Sequence, residues 1–302
     1  MKKFLIVGLA VILSLTPLSL NFPTSVFAQL DDQRVEVSKK DKIWLEGFGF
    51  SEQEINSMSK TSLHNIKEQF KGVNGTVKSS KTEYFKVKVY KENGKTKSKM
   101  IKKSKKEALE AVEKIKEEKK KNNPKSSFIE TNSASAAYDT ENDGWITQTL
   151  SVSYLSNGEY LAKTSYNWLQ RPGVGFQDAI GITHGNNVDK ISGSEFAEHS
   201  YRDGLGRHYE FDYSADKKNY YGYGDKFDLK VVGTNEGAYD HQGFMYFKFK
   251  RNLSSSNTAD LYGHYAHALT SSYFSISLSY GGLSLSGAGE SNATDTHVDL
   301  TY

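Results

Sequence analysis

The sequence predicts an α+β protein: a small N-terminal α+β region followed by an all-β antiparallel sandwich or irregular barrel. Three observations predict it. Capping-box patterns with apolar residues at helical spacing occur only before residue 122. Beyond residue 138, apolar and polar residues alternate in short runs broken by Gly and Asn. Charge and aromatic content also change between the two parts. Residues 29–137 hold 25 Lys/Arg and 16 Asp/Glu, net +9, whereas 138–302 hold 12 and 20, net −8, together with 17 of the 19 Tyr. Such a break marks a domain boundary, and the polar, small-residue stretch 122–137 reads as its linker. The expected division is a signal peptide at 1–28, a basic α+β region at 29–121, the linker, and an acidic, Tyr-rich β-sandwich at 138–302.

The leader has three parts. Lys2 and Lys3 give a positive start, residues 4–20 are almost unbroken apolar, and Val26-Phe27-Ala28 places small residues at the first and third positions before a cut. This predicts cleavage after Ala28, a mature start at Gln29, and export from the cell. A permanent N-terminal anchor is disfavoured because the apolar run is short and a cleavage site follows it. No later segment approaches the ~20 apolar residues of a spanning helix. The chain has no Cys, which excludes a lipid-anchored lipoprotein, disulfides and thiolate metal sites. The last residues, 296–302, alternate like a strand and carry no wall-sorting tail. A Lys-rich, Cys-free exported chain points to a Gram-positive source and an extracellular location.

Within the basic region, Ser51-Glu52-Gln53-Glu54 is a capping box opening a helix over 52–58, with Ile55 and Met58 on one face. Thr61 or Ser62 caps a second helix carrying Leu63, Ile66 and Phe70. Trp44, Leu45, Phe48 and Phe50 supply a small core. Strands at 83–90 and 95–101 flank Asn93-Gly94, a dipeptide suited to the positive φ angles of a type I′ turn. Ser104-Lys105-Lys106-Glu107 is a second capping box, opening a helix with Leu109, Val112 and Ile115 on its apolar side and running to about Lys121.

Beyond the linker, strands are expected at 146–155, 159–169, 174–183, 193–201, 208–213, 226–232 and 243–251, with Asn157-Gly158 turning the first pair. The clearest pattern comes last. Phe274, Ile276, Leu278 and Tyr280 alternate with Ser275, Ser277 and Ser279, Gly281-Gly282 turns the chain, and Leu283 and Leu285 alternate with Ser284 and Ser286. In a sandwich the apolar members point into the core; in a membrane stem they meet lipid while the serines line water. Each arm is shorter than the about 9–11 residues of a spanning strand unless the register extends, which favours core strands.

Two segments carry a resemblance. Tyr166-Asn167-Trp168-Leu169-Gln170-Arg171-Pro172, followed by Asp178-Ala179-Ile180-Gly181-Ile182, is similar to a pattern in uncharacterised secreted proteins of Bacillus-type Gram-positive bacteria. Gly47-Phe48-Gly49-Phe50-Ser51, with Glu54-Ile55 and Met58, resembles a helical motif near the start of many such exports. The resemblance implies export and β-architecture and brings no activity with it.

Candidate chemistry is sparse. The densest basic patch is Lys95, Lys97, Lys99, Lys102, Lys103, Lys105 and Lys106, suited to an anionic cell-wall polymer or membrane surface, or simply solvated. No nucleic-acid recognition motif accompanies it. Asp212, Asp216, Asp225 and Asp228 lie among Tyr213, Tyr220, Tyr221 and Tyr223. Carboxylates beside aromatic platforms suit a carbohydrate, so Asp212, Tyr213, Tyr220, Tyr221, Tyr223 and Asp225 form the candidate ligand set, although Tyr-rich loops also edge ordinary sandwiches. His264 and His267 share a face only on a helix; on a strand their odd spacing separates them, so no metal site is expected there. Residues 139–144 resemble the start of a calcium loop, but Leu150 stands where an EF-hand needs a bidentate Glu, and a polar turn is the better reading. No catalytic residue and no cofactor emerges, and Ser192-Gly193-Ser194 does not make a nucleophile elbow. The function expected is non-enzymatic binding at the cell exterior. A pore-forming protein is the alternative and a carbohydrate-active enzyme the third reading.

Overall fold

The computed structural model describes residues 35–122, 144–170, 177–203, 206–229, 238–252, 257–269, 274–287 and 293–302. The leader, the expected linker and the calcium-like turn except Gly144 lie outside them. Four helices, α1 (Lys39–Gly47), α2 (Glu52–Ser57), α3 (Lys60–Gln69) and α4 (Lys105–Asn122), accompany fifteen strands among the described residues. The strands are β1 (Gly75–Glu92), β2 (Lys95–Lys103), β3 (Gly144–Leu155), β4 (Tyr160–Gln170), β5 (Gln177–His184), β6 (Val188–Lys190), β7 (Phe196–Asp203), β8 (Gly206–Asp212), β9 (Lys217–Asn219), β10 (Gly222–Asp228), β11 (Tyr239–Arg251), β12 (Thr258–His267), β13 (Ser275–Ser279), β14 (Gly282–Ser286) and β15 (Ala293–Thr301). The fold is α+β and mostly antiparallel sheet, as the sequence predicts.

The first sheet runs β2-β1-β3-β4-β11-β7-β8, with β6 beside β11; the second runs β15-β12-β5-β10-β9; β13 and β14 form a third, two-stranded sheet. Inward residues of the two large sheets make a sandwich core. Phe85 and Val87 from β1, Ile146 and Val152 from β3, and Met245 and Phe247 from β11 meet Ile180 and Ile182 from β5, Leu261 and Tyr265 from β12, and Val298 and Leu300 from β15. This is the alternation of period 2 acting on two sheets at once.

The compositional break at residue 137 does not part the sheet. β1 pairs antiparallel with β3 from Gly75↔Leu155 to Val87↔Gly144, so the basic and acidic halves share one hydrogen-bond ladder. The N-terminal helices close the other face of the first sheet. Leu45, Phe48, Phe50, Ile55, Ile66 and Phe70 pack against Leu155, Leu161, Phe196, Phe244 and Tyr246. The residues expected to form a small private core therefore line one shared with the sandwich. Helix α4 covers Tyr84, Trp145 and Leu169 at the end of the same face. The order of layers is helices, first sheet, second sheet, and β13–β14 outermost.

Local predictions meet the structure unevenly. Both capping boxes form: Glu54 N–H donates to Ser51 Oγ at 3.3 Å while Ser51 N–H donates to Glu54 at 2.7 Å, and Ser104 and Glu107 repeat the exchange. Asn93 and Gly94 both take positive φ, 52° and 75°, as a type I′ turn requires. The cap of α3 is Ser59, not Thr61 or Ser62: its Oγ accepts from Ser62 N–H at 2.9 Å. Helix α1 and strands β6, β9 and β12 lack a prediction, and β1 begins eight residues before its expected start, because its polar first half shows no alternation.

Candidate functional site

Among the described residues, the Ser-rich hairpin differs from every other strand pair. Its register is Ser275↔Ser286, Ile276↔Leu285, Ser277↔Ser284 and Leu278↔Leu283, and neither arm joins the ladder of a large sheet. The turn is Tyr280-Gly281 rather than the expected Gly281-Gly282. Gly281 alone of the two glycines has positive φ, 62°, and Gly282 pairs as the first residue of β14.

The apolar members do not enter the sandwich core as expected. Phe274, Ile276, Leu278 and Leu283 are buried in a separate cluster with Ala179, Ala266 and Ala268, on the outer face of the second sheet. Small residues make that landing surface. A Cβ at Gly181 would lie 2.6 Å from Leu283 Cδ1, and one at Gly224 would lie 3.2 Å from Ile276 Cγ2; the sheet has no side chain there because the hairpin occupies the space. The serines of both arms stay exposed, with Ser275 and Ser286 bonded to each other at 2.7 Å. One face is therefore greasy and docked, the other hydroxylated and wet.

Few directed bonds hold the hairpin down. Asn219 Nδ2 donates to Leu278 O at 2.8 Å, and at the tip Tyr280 O–H donates to Asp260 Oδ2 at 2.9 Å. Hydrogen bonds to Tyr262 and Asp260 push the Tyr280 phenol above its ordinary range. Burial opposes ionisation of Asp260, but bonds from Tyr280, Asp299 and His297 outweigh it and lower its pKa. His297 Nε2 stands 3.4 Å from Asp260 Oδ1 and 3.1 Å from Asp299 Oδ1. Asp260, His297 and Asp299 are one set of side chains close enough to share a cation.

The sequence-predicted ligand set is scattered. Asp212 and Asp225 come together with Asp216, a second set close enough to hold a cation. Burial, and then the Asp212 charge, push Asp225 well above the usual carboxylate range. Much of this cluster braces a turn, since Asp212 accepts from Ser214 and Ala215 N–H and Asp216 from Lys226 N–H. Tyr213 leans on Phe196 with ring centres 5.1 Å apart. Tyr220 and Tyr221 meet edge to face at the β9–β10 turn. Tyr223 is buried against Phe247 with Lys190 over its ring, so it offers no platform to a ligand. Asp228 accepts from Gln177 at 3.0 Å.

The lysines belong to an edge. β2 is the outer strand of the first sheet, where Lys side chains discourage pairing with another chain. Lys97 meets Glu92 at 2.6 Å, Lys102 meets Glu83 at 2.7 Å, Lys103 meets Glu107 at 3.1 Å and Lys106 lies 3.9 Å from Glu110. Lys99 and Lys105 are exposed, and the Lys95 side chain lies outside the described positions. The two β12 histidines face opposite ways, as odd strand spacing demands. His264 bonds Asp295 and Thr183, both at 2.7 Å, while His267 bonds buried Asp178 at 2.8 Å.

No family model and no curated protein matches the chain. Among solved structures, one described as "Pore forming protein" is 8% identical with a TM-score of 0.22, covering 53% of this chain and 86% of that one. A collagen adhesin (CNA) from S. aureus is 7% identical with a TM-score of 0.20, covering 76% and 83%. At these TM-scores neither likeness bears on fold or function.

Proposed function

We propose that this is an exported protein that acts on membranes by releasing the β13–β14 hairpin from its sheet and presenting the apolar face to lipid. The observation that carries the reading is an amphipathic hairpin, apolar on one side and all serine on the other, docked on a Gly/Ala surface without one ladder bond to a large sheet. Docking buries four large apolar side chains at about 1.5–3 kcal/mol each before the loss of conformational freedom. Lipid replaces that burial on insertion, and the paired serines are suited to water on the other side. The described arms are five residues each, but with the turn at Tyr280-Gly281 the stretches 269–279 and 282–292 offer 11 residues each, against about 9–11 for a spanning strand. No helix among the described residues is long and apolar enough to cross a membrane. The leader at 1–28 supports export, and its cleavage after Ala28 is read by mass spectrometry of the mature N-terminus.

A disulfide lock tests the reading. The chain is free of Cys, and the 3.2 Å between a Cβ at 224 and Ile276 Cγ2 suits a bridge. In Gly224→Cys/Ile276→Cys, oxidation is expected to abolish dye release from phosphatidylcholine–phosphatidylglycerol vesicles, and reduction to restore it. Absence of release by the wild-type protein, or equal release by the oxidised and reduced variant, would overturn the proposal.

A further inference from the structure

On the helix side of the first sheet, opposite the hairpin, the segment at Glu36, Lys42 of α1, helix α2 and the ends of β7, β8 and β11 line a groove of about 780 Å³. Strand β11 makes it possible. Its register with β7 shifts between Tyr239 and Gln242, and Asp240 in that bulge has φ 54°. A bulge re-aims side chains, and here it sends the Asp240 carboxylate to two arginines. Arg207, 6% exposed, reaches Asp240 Oδ2 through Nη2 and Ser200 Oγ through Nη1 at 2.8 Å. Arg202 Nε lies 3.3 Å from the same Asp240 oxygen.

The pairing leaves donors over. Arg207 Nε and Gln242 Nε2 are both buried and find no hydrogen-bond partner among the described residues; Gln242 is only 5% exposed and lines the groove. A buried donor without an acceptor is costly, and an oxygen seated at the floor of the groove, from water or a guest, would relieve both. The charges of the lining cancel, three basic against three acidic groups, and amides such as Gln53 stand among them. Such a lining disfavours a charged guest and suits one with many hydroxyls, which accept from Arg and Gln and donate to Glu52 and Asp240.

We propose that this groove is a binding site for a neutral saccharide, held by hydrogen bonds from Gln242 Nε2, Arg207 Nε and the Arg202 guanidinium. The site is independent of the hairpin and lies on the opposite face of the sandwich. The test is saturation-transfer NMR on the full chain with glucose, galactose, mannose and N-acetylglucosamine, followed by titration calorimetry with whichever responds. At least one sugar is expected to bind, with Kd rising tenfold or more in Gln242→Glu, which keeps the shape and removes the donor, and in Arg202→Gln. Should Gln242→Glu fail to fold by circular dichroism, the more exposed Arg202→Gln decides. Silence from all four sugars would overturn the proposal, as would unchanged affinity in the folded variants. So would displacement of the sugar by equimolar sulfate, which would make the groove an anion site.

Discussion

Two of the described hairpins, each with a tight two-residue turn, stand in opposite relations to the fold. β1–β2 turns at Asn93-Gly94, carries lysines, and is built into the first sheet through the long β1–β3 ladder. β13–β14 turns at Tyr280-Gly281, carries serines, and touches the second sheet only through side chains. Alternation and turn chemistry specify a hairpin equally well in both. What separates them is whether an arm finds a free sheet edge, and that depends on the rest of the chain. The first hairpin is consequently part of what keeps the sandwich folded, while the second shares no ladder bond with either large sheet among the described residues.

The largest expected effect comes from removing one or the other. A chain of residues 144–302 alone lacks β1 and the helical layer, so Phe85 and Val87 no longer cover the core and Phe244 and Tyr246 lose their cover. It is expected to give no cooperative urea transition by circular dichroism. A full chain in which 270–290 is replaced by a short Gly-Ser linker is expected to unfold cooperatively. If both truncations melted alike, the distinction between built-in and docked hairpins would fail.

Single substitutions sharpen the same contrast. Val87→Asp puts an unpaired carboxylate into the sandwich core, where Val87 is 0% exposed, at an expected cost on the order of 4 kcal/mol or more. Ile276→Asp disturbs only the satellite cluster, and its main expected consequence is an undocked hairpin, at about 2 kcal/mol or less in the urea transition. Raised protease sensitivity confined to residues 270–290 would accompany it. Unfolding by Ile276→Asp as complete as by Val87→Asp would place that residue in the main core after all.

The smallest effect probes the joint between the helices and the sheet. Glu198 on β7 is 5% exposed and accepts from Ser59 N–H at 3.3 Å and from Ser59 O–H at 2.7 Å. Burial pushes its pKa up to about 6, with the Ser62 and Ser59 bonds opposing. Between the ordinary 4.5 and about 6 the folded chain holds more protons than the unfolded one, so stability falls as pH rises through that window, by up to about 2 kcal/mol. Glu198→Gln is expected to flatten that slope in urea titrations from pH 4 to 7. An unchanged slope would mean that Glu198 does not titrate in this window with the raised pKa its burial argues.

How much was legible follows from these residues. Helix starts at Ser51 and Ser104, the Asn93-Gly94 turn and the Ser-alternating arms are local features, each enforced within about four residues by hydrogen bonding or by the period of the strand. The separation of His264 from His267 followed from strand geometry alone. The Arg202, Arg207, Asp240 and Gln242 constellation had a weaker signal: only five of the chain's basic residues are Arg, and two fall within 202–207. Nothing in the sequence joined them to Asp240, more than thirty residues away.

By itself the sequence determined most of the elements, the Asn93-Gly94 turn, the amphipathic faces and the mostly antiparallel class, because these depend on short-range sterics and on hydrophobic periodicity. Only the tertiary structure decided that β1 pairs with β3 across the compositional break, that the Ser-rich hairpin lies outside the sandwich core, and that two arginines converge on one bulged strand. Each of these turns on which distant surfaces meet. Phe85 alternates with its neighbours as Ile276 does, and the pattern marks an apolar face without saying which sheet will cover it.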